Sequence, residues 1–488
     1  MSEQESYIDG RAPERTIDGG IFPFSARANA REGIFSDILS SVLEGDPDVE
    51  VDGEFKDRFL EMDIDRLRVD DGFNPETAWD VFETKYTTRT SGENLIAVPF
   101  HPAIPKAIVP ENTNRWGTWY QLHLTSLDDG QLHFNDELHE RFSSRLNGLE
   151  ASNIFEEAVV AIAETFIDDA RTEGSEELKP LRNYIENMTT NFETDLNAWL
   201  NNDVISSSDW LHGCQDLIGI HFFMYYIQVA LNLAEEWERF TDVSTDEIYQ
   251  PKVISFPYGV ESDSANMDRR FVRIWKGTGG VEYSIRNEIY LSWGRLAITR
   301  ILNQALVDHE LDKEYPLTLT EAADRLNEDS RRTAIKKMYS HLSSEELPDK
   351  EEQEYDEELL IESAERLVEA MDNYYRYEAT DAAPLSMGVR GVTRLADADR
   401  RYLMRSRGRP GYRFQMADET IALLARVFAW SETRDEGNQG FNEFIDFLDA
   451  RGFELDSRSR TQARETLDSM GLLEQESDSG ESVNVRAY

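Results

Sequence analysis

From about residue 134 onward, apolar positions recur three and four apart, the spacing that gives a helix one buried face. Phe155, Val159, Ile162 and Phe166 follow Asn153 and Glu156, which are placed as a capping box. Further helices are expected over 176–203, 209–241, 285–307 and 320–343. Leu360, Ala364, Leu367, Val368, Met371, Tyr374 and Tyr375 mark one face of another. The stretch 217–233 is apolar on nearly every side. It carries His221, Gln228 and Asn232, and falls short of the ~20 apolar residues a membrane span needs, so it reads as a core helix. Before residue 114 the pattern is mixed, with a short helix near 34–43 and an extended piece at 94–98. A hairpin is expected where 270–275 and 281–283 flank the turn Gly277-Thr-Gly-Gly280.

The last eighty residues carry the densest signals. Ile421, Leu424, Val427 and Phe428 define a first helix, and Phe441, Phe444, Ile445 and Leu448 a second that ends at Gly452. A third starts at Asp456 or Ser457, buries Ala463, Leu467 and Met470, and stops at Gly471. Residues 472–476, a Ser477-Asp-Ser-Gly480 turn and the alternating 482–486 then form a hairpin. Three short helices and a hairpin is the order of a winged helix. The expected fold is mainly α: a multi-helix body with a small β-hairpin element and a C-terminal winged helix. The expected divisions are a mixed N-terminal region (1–130), a helical core domain (131–380), an Arg-rich linker (381–413) and the winged helix (414–488).

Composition changes what that module can mean. In 488 residues, 96 Asp and Glu outnumber 50 Lys and Arg, a formal net charge of -46, while 40% of residues are apolar, enough for substantial cores. Lysines number ten against forty arginines. That combination resembles proteins from cells with molar internal salt, where the Debye length is ~3 Å or less and a global negative field does not reach far. A locally basic stretch therefore stands out. One runs from residue 390 to 413, with Arg390, Arg394, Arg400, Arg401, Arg405, Arg407, Arg409 and Arg413 against Asp397 and Asp399. Guanidinium forks suit phosphate, so this segment is a candidate contact for double-stranded DNA. The intramolecular alternative is that it neutralises the acidic stretch 349–369.

The winged helix itself holds eight Arg and sixteen acidic residues from Gly411 to the end. As a DNA reader it would lay its third helix in a major groove, with Arg460 and Arg464 contributing and Arg486 meeting phosphate. As a structural module it would dock onto a partner. A helix-turn-helix outline at 318–342, with Arg331, Arg332, Lys336 and Lys337, is equally two antiparallel helices of a bundle.

Catalytic chemistry leaves little trace. There is no GxxxxGK[ST], GxSxG, HExxH or EF-hand loop. A nuclease-like string, Asp48 with Glu54 and Lys56, is spaced too closely for the usual hairpin. His212, the lone Cys214 and His221 read as core residues rather than zinc ligands. No cofactor and no metal is expected, and neither a secretory leader nor a membrane role; a reducing, cytoplasmic setting fits the single cysteine.

The C-terminal phrases Phe444-Ile-Asp-Phe-Leu-Asp-Ala-Arg-Gly452, the helix 456–470 and Leu472-Leu-Glu-Gln-Glu-Ser-Asp-Ser-Gly-Glu-Ser-Val-Asn-Val485 resemble the tail of the G subunit of DNA-phosphorothioation-dependent restriction complexes. Residues 210–233 are loosely similar too. The resemblance implies a non-enzymatic accessory subunit in antiviral defence, working beside ATPase and helicase-like partners on DNA that lacks sulfur modification. It brings no catalytic residues. The alternative is a winged-helix transcriptional regulator.

Overall fold

The computed structural model describes residues 31–45, 49–61, 75–89, 95–108, 116–170, 181–185, 187–202, 205–242, 254–255, 258, 285–311, 316–342, 355–373, 403–407, 411–431, 440–475 and 483–486. The expected hairpin at 270–283 lies outside these residues.

The chain opens with α1 (Arg31–Val42), a π-helical turn at Val51–Phe55, α2 (Lys56–Leu60), α3 (Pro75–Lys85), the hairpin β1 (Thr87–Arg89) and β2 (Leu95–Ala97), α4 (Ala103–Ala107) and α5 (Trp116–His123). A second hairpin, β3 (Thr125–Asp128) and β4 (Gln131–Phe134), precedes α6 (Asp136–Asn147), α7 (Ile154–Ala170), α8 (Met188–Leu200) and α9 (Ser207–Asp242). Then come β5 (Ile254–Ser255), α10 (Ile285–Val307), α11 (Leu319–Arg325), α12 (Glu328–Ser340) and α13 (Glu357–Asn373). The C-terminal part contains β6 (Met404–Arg407), β7 (Gly411–Phe414), α14 (Asp418–Trp430), α15 (Phe441–Ala450), β8 (Phe453–Glu454), α16 (Ser457–Ser469), β9 (Leu473–Gln475) and β10 (Val483–Val485). The protein is mainly helical. Among the described residues every sheet has two strands, antiparallel except for β5 with β8.

Helix α9 organises the body. It is long and apolar enough to cross a membrane, but 89% of its apolar window is buried inside the protein. It lies against α8, α10 and α11, while α10 packs on α12 and α13. Leu217, Ile218, Phe222, Phe223 and Ile227 are fully buried, each contributing ~1.5 to 3 kcal/mol relative to exposure. One continuous apolar cluster runs from Ile34 on α1 through α9 to Val485 on β10, so the C-terminal helices share the body's core. A smaller cluster joins α2, α3, α4 and α7 around Phe55, Phe59, Phe82 and Phe166.

The α8–α9 corner is held by reciprocal bonds: Trp199 Nε1 donates to the Trp210 carbonyl (3.1 Å) and Trp210 Nε1 to the Trp199 carbonyl (3.2 Å). Gly213 sits under the Trp199 ring, and a Cβ there would run into Cζ2 and Cη2. Gly213→Ala would ordinarily stabilise a helix by about 1 kcal/mol. Here overpacking wins, and the substitution should destabilise by ~1 to 3 kcal/mol. Thermal unfolding reads the sign, and a raised midpoint would refute this account of the corner.

Two expected helices needed correction. The 176–203 helix begins only at Met188: Arg182 makes a two-pronged pair with Glu321 (2.6 and 3.1 Å) and Tyr184 Oη donates to the Pro316 carbonyl (2.8 Å). Those long-range bonds hold the preceding segment out of the helix, and Asn187 enters it at φ 62°. The 320–343 segment divides into α11 and α12. Thr318 and Glu321 form a capping box at one start, and the Asn327 side chain accepts from Ser330 N at the next. Glu236 on α9, fully buried, accepts from Thr320 N and Oγ1 (2.9 and 2.8 Å). On α12, Arg332 and Lys336 lie over the Tyr355 ring, and Lys337 pairs with Asp308. This is the bundle reading of the helix-turn-helix outline.

Two residues of the nuclease-like string have other partners. Lys56 lies over the Trp79 ring, Glu54 pairs with Arg58, and Asp48 is outside the described residues.

Candidate nucleic-acid interface

The Arg-rich segment enters the described structure at Leu403, which is buried, and continues as the β6–β7 ribbon. Its register pairs Arg405 with Arg413 and Arg407 with Gly411. The ribbon is rooted in the core: Gln415 N–H donates to the Leu403 carbonyl (2.9 Å), and buried Met416 bridges to Tyr258. Arg390, Arg394, Arg400, Arg401 and Arg409 lie outside the described residues.

After the ribbon, α14 and α15 bury Ile421, Leu424, Val427, Phe428, Phe444, Ile445 and Leu448. Gly452 (φ 85°) and Gly471 (φ 73°) take the left-handed conformation after α15 and α16. The Asp456 side chain caps α16 by accepting from Ser459 N (2.7 Å). Ala463 and Leu467 face inward, whereas Met470, expected in the core, is exposed because α16 ends at that turn. The outer side of α16 presents Ser457, Arg458, Arg460, Thr461, Arg464 and Glu465.

The predicted arginines there fare differently. Arg464 is exposed, with no ion-pair partner among the described residues. Arg460 is partly committed: its Nε donates to the Leu455 carbonyl (2.7 Å) and its Nη2 lies 3.6 Å from Asp449. Arg486, expected to meet phosphate, pairs with Glu474 across the β9–β10 hairpin.

Behind α16 lies a buried charged cluster. Arg451, at the C-terminal end of α15, points its guanidinium into the body and grips Asp195 on α8. Nε donates to Oδ2 at 2.6 Å and Nη2 to Oδ1, while Nη1 donates to the Phe447 carbonyl (3.0 Å). His221 on α9 completes it, Nε2 to Asp195 Oδ2 at 2.9 Å. Burial alone would raise the Asp195 carboxyl, but Arg451 and His221 outweigh it and hold the group below the usual range. A cavity of about 10 Å³, the size of one water, adjoins His221, Gln228 and Arg451.

His221 is thus a satisfied core residue, and Cys214 is buried with burial pushing its thiol up. His212, expected in the core, is exposed, and its Nδ1 donates to the Ser208 carbonyl one turn back (2.7 Å). Among the described residues no three His, Cys, Asp or Glu side chains are placed to hold a metal. Sequence reasoning missed Asp195 and Arg451. The available signal was an aspartate on the same helical face as Phe192, Leu196 and Trp199, where a carboxylate needs a partner.

The arrangement comprises a two-stranded ribbon rooted in the core, a helix with outward hydroxyls and arginines, and a buried ion pair that ties the end of α15 to α8. No protein-family model matches this chain, and no characterised protein compared with it does either.

Proposed function

We propose that the chain is a non-enzymatic, DNA-contacting accessory subunit of a phosphorothioation-dependent restriction complex, docking ATPase and helicase-like partners through its C-terminal part. The observation that carries the DNA reading is charge. Eight arginines against two aspartates between residues 390 and 413 run against a background of -46, and three of the eight belong to the paired strands β6 and β7. We read the C-terminal elements as a winged helix. In support, Gly440, between α14 and α15, bridges to Asn484 on β10, where such folds place their first strand beside the wing.

Changing Arg400, Arg401, Arg405 and Arg407 to Glu should weaken duplex DNA binding. Every phosphate left without its arginine should reduce the slope of log affinity against log salt by about 0.9. Fluorescence anisotropy over a salt series measures both. An unchanged slope would remove the Arg-rich segment from the interface. Exposed Ser457, Thr461 and Arg464 on α16 favour a second reading, a transcriptional regulator. It requires a footprint on one palindromic site, and binding without sequence preference argues against it.

A further inference from the structure

Two separate parts of the body converge on the short turn that launches α16. From one side, α8 holds it: Asp195 binds Arg451, and Asn191 Nδ2 donates to the Ala450 carbonyl (2.9 Å). From the other, β5 pairs in parallel with β8, matching Ile254 to Phe453 and Ser255 to Glu454, and Ile254 N–H donates to the Gly452 carbonyl (2.9 Å). Tyr258 secures this second grip. It is fully buried, its N–H donates to Ser459 Oγ in the first turn of α16 (3.0 Å), and its Oη donates to Asp418 at the start of α14 (2.7 Å). One aromatic residue therefore spans the first turns of two C-terminal helices, 160 and 201 residues further along the chain.

We infer that Ile254, Ser255 and Tyr258 form a clasp that fixes α16 relative to the body, with Tyr258 as the positioning residue for the DNA-facing helix. The positioning role rests on the DNA reading above, whereas the clasp itself does not. A two-residue parallel pairing is too short to persist alone. Main-chain bonds to the turn set the register, and the Tyr258 ring and hydroxyl hold it, the pattern by which a peptide adds to a strand edge. Because β8 leads through Leu455 into the Asp456 cap, a loosened turn frees the amino-terminal end of α16, where a groove-reading helix makes its contacts. Asp195 and Arg451 then hold one side of the turn without the other.

Hydrogen exchange on the full chain tests the clasp. Tyr258→Ala should accelerate exchange over residues 452–463 roughly tenfold or more, leaving 217–233 and 421–428 at wild-type protection. Tyr258→Phe keeps the ring and should retain most of the protection. Unchanged protection over 452–463 in Tyr258→Ala would overturn the clasp. Uniform loss over 418–485 would also overturn it, since Tyr258 would then be an ordinary core residue. In a parallel duplex titration, Tyr258→Ala should bind roughly 3- to 30-fold more weakly, and Tyr258→Phe close to wild type. Equal binding by all three chains would remove the positioning role. A wild-type chain that binds no duplex would remove the DNA reading and that role with it, while the exchange pattern still decides the clasp.

Discussion

Acidification from pH 6.5 towards pH 3 is expected to remove on the order of 5 kcal/mol of stability through one imidazole, that of His123. The ring is fully buried, stacked on Phe222 at 4.6 Å between centroids and edge-on to Tyr225. Its Nδ1 lies 2.7 Å from the Trp119 carbonyl, which only accepts, so Nδ1 carries the proton of a neutral ring. Burial lowers its pKa from 6.5 to about 3. The unfolded chain therefore takes up a proton near pH 6.5 that the folded chain refuses. The stabilisation is complete above pH 6.5, declines by about 1.4 kcal/mol per pH unit below it, and is gone near pH 3. His101 and His139 shift downward for the same reason and add to the trend. Relief of self-repulsion in so acidic a chain acts the other way, but equally in a His123→Phe variant. Urea midpoints from pH 7.5 to 4 for both proteins should show the variant's pH slope shallower by one proton. Identical slopes would exclude His123 as the source.

Asp195→Ala is expected to destabilise the protein by ~3 to 5 kcal/mol, because it leaves the buried Arg451 guanidinium without its carboxylate. Arg451 is 7% and Asp195 0% exposed, so molar salt should not mask the loss as it would at a surface pair. Adding Arg451→Met should recover part of it, since removing both charges leaves neither uncompensated. Urea unfolding of the two single variants and the double variant gives the coupling. Additive losses would mean that the two side chains do not act as a pair. Asp195 also loses its contribution on acidification, in a lower range than the one over which that of His123 declines. Its contribution is present above the ordinary carboxylate range and is lost as pH falls through its depressed native value.

Local chemistry was legible in the sequence where one segment contained all of its causes. Glu156 N donates to Asn153 Oδ1 (3.0 Å), Asp456 caps α16, and Gly452 and Gly471 end their helices as their positions foretold. The apolar stretch 217–233 is indeed a core helix. What was not legible depended on residues far away. Arg182 and Tyr184 leave helical geometry for partners more than 130 positions on, and Asp195 meets Arg451 across 256. Periodicity reports which face is buried, but not which charge meets it there. The candidate interface was visible as a charge anomaly because composition needs no tertiary information. The commitment of Arg460 to Leu455 and of Arg486 to Glu474 could not be read from composition.

The same long reach sets a schedule for synthesis. Asp195 emerges from a ribosome 256 residues ahead of Arg451, with α9 soon after it, a wait of about 13 to 50 s at ordinary elongation rates. Over most of that interval the long apolar helix α9 lacks its C-terminal cover, and Tyr258, once made, has no α16 to close on. A nascent chain in this state is a natural client for chaperones, and the last forty residues complete a surface exposed since α9 was made.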